Sequence, residues 1–437
     1  MWWLALVACS DSDPVLSGDP DAGWDVLRYG DFVGAGVPAD LWFDLVPNPN
    51  PANELEREGR SAELDRSYNL FEAPNGVEVV GGLTCMGCHA AEVEGTFIAG
   101  LGDARIDFSS DVGVNLFGLV ETVLDATYGP NSPEAEAATP FIRGGRTVTP
   151  ATITPFAGVN PAFSLERAAA AHREPDTLRW LDTPSYEIPA TPIWSDTPPL
   201  WHAKRRDSLY WTGFGLGQRE RLILQISIVA IEDASQAERI LPDFSDVVAW
   251  LEALEPPPYP GPLDAGLAND GEAPFVEHCS RCHGTYGNRR EYPEVIVPLE
   301  EIGTDPVYAR AFDNTPFTAW LEDSWFGSAG NPGKSPAVGY VAPPLDGIWA
   351  TAPYFHNGSV PDLRGVLDPA ARPATWRRDP TDTTLDHTTM GWPYTDAPAD
   401  EWLYDTSVEG ASNAGHRYGE ALTADERTAV LEYLKTL

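Results

Sequence analysis

Sulfur is scarce in this chain. Five Cys and three Met stand among 437 residues, so a repeated cysteine spacing is hard to assign to accident, and a thioether ligand for a metal has few sources. Basic residues are also short: 28 Lys and Arg face 66 Asp and Glu, a formal charge of −38. Phosphates would be repelled, which excludes nucleic acid as a natural partner. No run of about 18 apolar residues exists, so nothing in the sequence is long enough to span a bilayer as a helix. Turn formers, by contrast, are plentiful: 41 Pro and 39 Gly predict long irregular loops between short helices. Fifteen Trp and sixteen Phe can build sizeable cores.

Four of the five cysteines fall in two copies of one spacing. These are Cys85-Met86-Gly87-Cys88-His89 and Cys279-Ser280-Arg281-Cys282-His283. Cys-x-x-Cys-His reads as a c-type haem attachment site. The two thiols reach the vinyl groups of one haem and the adjacent His supplies the proximal ligand. A zinc ribbon would use paired Cys-x-x-Cys but has no need of a His after each pair. A thioredoxin-like redox pair would sit in a βαβ context, which the pattern lacks. Two covalently bound haem c groups are the expected cofactors.

The fifth cysteine ends Leu6-Val7-Ala8-Cys9, which turns polar at Ser10-Asp11. This resembles a bacterial lipobox, with Cys9 as the lipid anchor, although the basic leader is missing and the apolar run is short. Covalent haem in bacteria is attached outside the cytoplasm, which also requires export. A periplasmic or outer-membrane-anchored protein is expected. The acidic balance then reads as a solvated surface, or as a field that steers a basic electron donor.

The clearest boundary is Glu255-Pro256-Pro257-Pro258-Tyr259-Pro260-Gly261-Pro262, a run that cannot continue a helix. Similar helices precede it and end the chain: Val247, Trp250, Leu251 and Leu254 repeat as Val430, Tyr433, Leu434 and Leu437, one apolar face each. Thr423 to Glu426 supplies a capping box. The expectation is a mainly α chain of two tandem cytochrome c-like domains with long irregular loops. The divisions are residues 1–9 (signal or lipobox remnant), 10–60 (acidic Pro-rich arm), 61–255 (N-terminal haem c domain), 256–262 (linker) and 263–437 (C-terminal haem c domain).

Distal ligands are few. Beyond His89 and His283, the His are 172, 202, 278, 356, 387 and 416, and the Met are 1, 86 and 390. Met86 and His278 belong to the haem loops. His416 is the choice for the second iron: it precedes the closing helix, and its flanking Gly residues let backbone approach a porphyrin. His172 reads as a solvated helix end, and His387 as a surface residue.

Ala350-Thr351-Ala352-Pro353-Tyr354-Phe355-His356-Asn357-Gly358-Ser359-Val360 resembles a signature of the bacterial di-haem cytochrome c peroxidases. Pro343 to Trp349, Leu367-Asp368-Pro369 with Arg372-Pro373, Ile302 to Pro306, and Asn413 to Gly419 resemble the subgroup that includes the di-haem rubber oxygenases. The resemblance runs from about Gly81 to Leu437 and is strongest in the second half. It implies a Trp between the haems, matched by Trp211 in Leu209-Tyr210-Trp211-Thr212-Gly213. It implies calcium between the two parts, held here by Thr351, Pro353 and Asp196, which stands where the family has Asn. It implies a catalytic glutamate near Glu232, which also reads as a solvated acid. No Met stands where the peroxidases place a distal one, which favours bis-His ligation through His416. The first haem has no clear distal His; His202 is the nearest candidate, and Leu222 to Ile226 would otherwise wall an open pocket.

The expected function is an exported di-haem oxidoreductase. Peroxide or dioxygen reacts at the N-terminal haem, and the C-terminal haem relays electrons through Trp211 from a donor cytochrome or small redox protein. Two other readings stay open: an electron-transfer cytochrome without catalysis, and a haem-dependent maturation enzyme that oxidises a partner protein.

Overall fold

A computed structural model describes residues 18–46, 52–110, 112–327 and 338–437. The lipobox and Cys9 lie outside the described residues. The helices that frame the two haem motifs are α1 (Pro20–Tyr29), α2 (Cys85–Cys88), α3 (Ala162–Ala171), α4 (Ala234–Ala253), α5 (Ala265–His278), α6 (Ser280–His283) and α7 (Ala424–Leu434). None of the described helices is long and apolar enough to cross a membrane.

The expectation of a mainly α chain is overturned. The described residues are 41% helical and 11% strand, and four small antiparallel sheets occur among them. One three-stranded sheet orders β1 (Val37–Pro38), β3 (Glu78–Gly81) and β2 (Asn69–Glu72). Another has β8 (Thr375–Arg378) between β10 (Leu403–Asp405) and β9 (Tyr394–Thr395). Two-stranded sheets pair β4 (Ala90–Val93) with β5 (Thr96–Ala99), and β6 (Ile296–Pro298) with β7 (Gly339–Val341). The missed signal was local. Val93 pairs with Thr96, and between them Glu94 and Gly95 take φ of 50° and 74°. Two left-handed residues make the tight turn that matches strand twist. Strands of two to four residues carry too little period-2 pattern to stand out.

Two separate cytochrome domains are not shown either, because the cores ignore the linker. The largest joins Leu27, Ile142, Phe163 and Phe244 to Phe312, Phe317, Trp320 and Tyr340. Phe163 stacks on Phe312 at 3.9 Å. The second joins Val93, Ile98 and Trp201 to Phe275, Trp349, Val430 and Tyr433. Each buries apolar surface from both sides of Pro256, so the halves share their hydrophobic stabilisation.

One helix crossing occurs twice. At Gly271 of α5, an added Cβ would lie 2.1 Å from the Ala429 carbonyl oxygen and 2.9 Å from Tyr433 Cβ on α7. At Gly23 of α1, it would lie 2.1 Å from the Asp246 carbonyl oxygen and 3.0 Å from Trp250 Cβ on α4. Only glycine permits such approach. Aromatics close both crossings: Trp24 stacks on Trp250 at 5.5 Å, and Phe275 meets Tyr433 at 5.1 Å. The partners differ, however. α5 leads straight into Cys279, whereas α1 lies well upstream of Cys85, inside the segment read as an acidic arm. Asp19 caps α1 and Pro20 starts it, a sound beginning for a docked helix.

Candidate haem sites

Each Cys-x-x-Cys-His folds as one helical turn. Thr84 caps α2 by accepting from Gly87 N–H, and the His89 N–H closes the turn on the Cys85 carbonyl at 2.8 Å. In the second copy the His283 N–H bonds the Cys279 carbonyl at 3.0 Å. Residues three and four apart share a helix face, so both thiols and the imidazole of each motif converge. All four cysteines are free of disulfides. Burial pushes the Cys85 thiol up to about 12 and the Cys88 and Cys279 thiols up to about 11. None of these three is prepared as a redox thiolate.

The two histidines are oriented alike. His89 Nδ1 lies 3.0 Å from the Pro198 carbonyl oxygen, and His283 Nδ1 lies 2.8 Å from that of Pro343. Both acceptors open the same tripeptide, Pro198-Pro199-Leu200 and Pro343-Pro344-Leu345. A donating Nδ1–H leaves Nε2 as the metal-binding nitrogen and fixes the ring. Burial holds both imidazoles below the ordinary histidine range, His89 at about 4, so they are neutral at pH 7.

Opposite His283 stands His416, with ring centres 6.2 Å apart. Two imidazoles on either side of one metal, each bonded at about 2 Å, place their centres roughly 6 Å apart. The two rings flank an apolar cavity lined by Val297, Ile302, Leu363, Leu367 and Val430. Three polar atoms on its wall are buried without a partner: His416 Nδ1, His356 Nε2 and Thr304 Oγ1. Such orphans are costly in an apolar wall and suit a ligand with a metal and polar arms. A haem fits this site.

The first motif is not faced in this way by a histidine or methionine among the described residues. His172 ends α3, stacks on Trp180 at 5.1 Å and directs Nδ1 at the Leu181 carbonyl. His202 is buried, bonds the Asp346 carbonyl through Nε2 at 3.0 Å, and lines the second cavity. His278 and His356 line that cavity too, and His356 stacks on Tyr340 at 3.9 Å. His387 bridges Tyr259 and Glu94. Met390 is buried in the second core, and Met86 lies within α2.

Trp211 touches both regions. It packs against the first core and lines the second cavity. Its Nε1–H donates to the Asp196 carbonyl at 3.0 Å, and its own carbonyl accepts from Val341 N–H. Asp196, Thr351 and Pro353 line the same cavity. Asp196 Cβ and Pro353 Cγ both lie within 4 Å of where Gly358 would carry a Cβ. Burial drives the Asp196 carboxyl well above its usual range, which an adjacent cation would relieve.

Glu232 stands as the solvated acid that its sequence context also allowed: its side chain is 55% exposed and pairs with Arg143. A half-buried carboxylate stands instead on α3, Glu166, a residue the sequence reading passed over. The Tyr210 hydroxyl lies 3.4 Å from Glu166 Oε2 and 3.0 Å from Gln225 Oε1. Burial pushes Glu166 up to about 8, and the Tyr210 contact lowers it only in part. The helix begins just after Asn160, whose side chain accepts from the Ala162 N–H and donates to the Thr197 hydroxyl, next to the Pro198 that holds His89. A Glu four residues into an alanine-rich helix carries no sequence mark of this burial.

Residues 339–377 match a family described as RoxA-like, cytochrome c-like. The match takes in β7, the Pro343 acceptor, His356 and Arg372, and supports a relationship to RoxA-like cytochromes c. It implies haem c as cofactor and an oxidoreductase role. Two proteins of Sinorhizobium fredii (strain NBRC 101917 / NGR234) are similar to the chain, both described as uncharacterized. One, y4iJ, is 32% identical over 251 residues, which cover 42% of this chain and 41% of that protein. The other, y4iM, is 29% identical over 315 residues, which cover 62% and 70%. The chain thus spans less than half of one relative and about two thirds of the other.

Proposed function

We propose that the chain is an exported di-haem c-type oxidoreductase with one open and one closed iron. The observation that carries this is the asymmetry of the two motifs. His283 is faced by His416 at bis-imidazole distance, while none of the other described histidines or methionines faces His89 in this way. Haem supplies the redox-active iron and, where a face is free, the place at which peroxide or dioxygen is activated.

The chain's own residues do the rest. Pro198 and Pro343 orient the proximal imidazoles. Trp211, between the first core and the second cavity, offers the path for electrons. Glu166 holds a proton near neutral pH beside the Tyr210 hydroxyl, so it is better placed than Glu232 for proton transfer. Calcium would be held by Asp196, Thr351 and Pro353, which line one cavity, because a hard cation takes oxygen ligands. The acidic surface favours a small basic redox protein as donor. Export to the periplasm, with Cys9 as a lipid anchor, completes this reading.

The test is oxidant consumption by the reduced holoprotein. Peroxide or dioxygen should be consumed, and Trp211→Phe should slow turnover while both haems keep their spectra. A reduced protein that consumes neither oxidant would leave an electron-transfer cytochrome without catalysis.

A further inference from the structure

The loop that carries His416 is gripped by one side chain. Arg372 Nη1 donates to the carbonyls of Asn413 and Gly415, both at 2.7 Å, and Nη2 donates to the carbonyl of His416 itself at 3.1 Å. Its Nε–H is anchored on the Gly365 carbonyl at 2.8 Å. The guanidinium lies 4.9 Å over the Phe355 ring, and Phe355 in turn sits 5.6 Å from the His416 ring. Among the described residues Arg372 forms no ion pair; its fork is spent on carbonyls.

His416 needs such a grip. Its φ is 44° and that of Gly415 is 78°. A left-handed non-glycine residue persists where its surroundings over-determine it. Gly415 is pressed on Gly303, where a Cβ would fall 2.2 Å from the carbonyl carbon. His416 N–H donates to the Ile302 carbonyl at 2.7 Å. One backbone bond holds the amide side of His416, and Arg372 holds the carbonyl side of the whole turn. A planar fork with parallel donors can span the three carbonyls of Asn413, Gly415 and His416, a fixed geometry that a lysine's point charge lacks.

We propose that Arg372 is the positioning residue that keeps His416 within reach of the second iron. This rests on the reading of His283 and His416 as the axial pair. Arg372 acts through His416 and touches no reacting atom.

The experiment uses the full-length oxidised holoprotein and compares Arg372→Gln, Arg372→Lys and His416→Gly by electronic absorption and EPR. Arg372→Gln should convert part of the second haem from low spin to high spin. Added imidazole should restore the low-spin signal, and cyanide should bind that haem measurably faster than in the wild type, because losing a partner that orients a metal ligand typically weakens the site's affinity or activity by about 10- to 100-fold. A general structural defect would not be rescued by imidazole. Arg372→Lys keeps the charge without the fork and should show the same changes to a smaller degree; if the Gln variant does not accumulate, the Lys variant decides. Unchanged spin state and cyanide rate in the folded variants would overturn the proposal. If His416→Gly stays low spin, the axial reading itself falls; if it turns high spin while both Arg372 variants do not, only the positioning role falls.

Discussion

Adding a single methyl group at Gly271 tests the packing that carries the second haem motif. The new Cβ would lie 2.1 Å from the Ala429 carbonyl oxygen, where ordinary contact begins at 3.4 Å, so α5 and α7 must part by about 1.3 Å. Overpacking of this kind costs about 1–3 kcal/mol, and alanine's helix propensity returns at most about 1 kcal/mol. A clash this short with backbone belongs at the upper end of that range, so Gly271→Ala should lose about 2 kcal/mol in all. Gly118 is the control: it is helical, and a Cβ there meets nothing within 4 Å. Gly118→Ala should gain about 0.5–1 kcal/mol, because alanine loses less backbone entropy on folding. Urea unfolding of the holoproteins, followed by far-ultraviolet circular dichroism, compares the midpoints. If Gly271→Ala is as stable as the wild type, or Gly118→Ala loses as much, the close crossing is not what the structure shows.

Three other predictions concern charge and cofactor. Asp346, with only 3% of its side chain exposed, pairs with Arg205 and with the half-exposed Arg290, so Asp346→Asn should cost about 2–4 kcal/mol at pH 7. Burial alone would raise this carboxyl, but the Arg205 hydrogen bond and charge, then Arg290, hold it below its ordinary value. Its contribution is therefore present above about pH 4 and lost as pH falls through the lower folded value, so the gap between variant and wild type should close in acid. Glu166 behaves in the opposite way: its raised value means the folded protein binds the extra proton, so stability should fall as pH rises from about 4.5 to 8, and Glu166→Gln should flatten that slope. A pyridine haemochrome assay should count two haems per chain, and one when Cys85 and Cys88 or Cys279 and Cys282 are replaced by Ala; a wild-type count of one would refute the two-site account.

The local chemistry of the sites could be read from the sequence, because Cys-x-x-Cys-His encodes its own geometry within one helical turn. His416 could be singled out since few histidines remained and Gly415 marked a close backbone approach; the structure stands it opposite His283. The Pro-Pro-Leu repeat was present in the sequence, but its carbonyls become histidine acceptors only through contacts between residues far apart. Glu166 could not be recognised, because its burial comes from Tyr210 and Gln225, distant in sequence. Glu232 drew notice by its place after Trp211, yet packing leaves it on the surface beside Arg143. Two separate cytochrome domains are not shown, because a Pro-rich segment marks where a helix stops and says nothing about which apolar faces meet across it.

The most direct measurement is the EPR and absorption spectrum of the oxidised holoprotein, before and after hydrogen peroxide. One low-spin signal, from the iron between His283 and His416, and one high-spin signal that peroxide abolishes are the predicted result. Two low-spin signals that ignore peroxide, even after partial reduction, would contradict the open first iron and with it the oxidoreductase account.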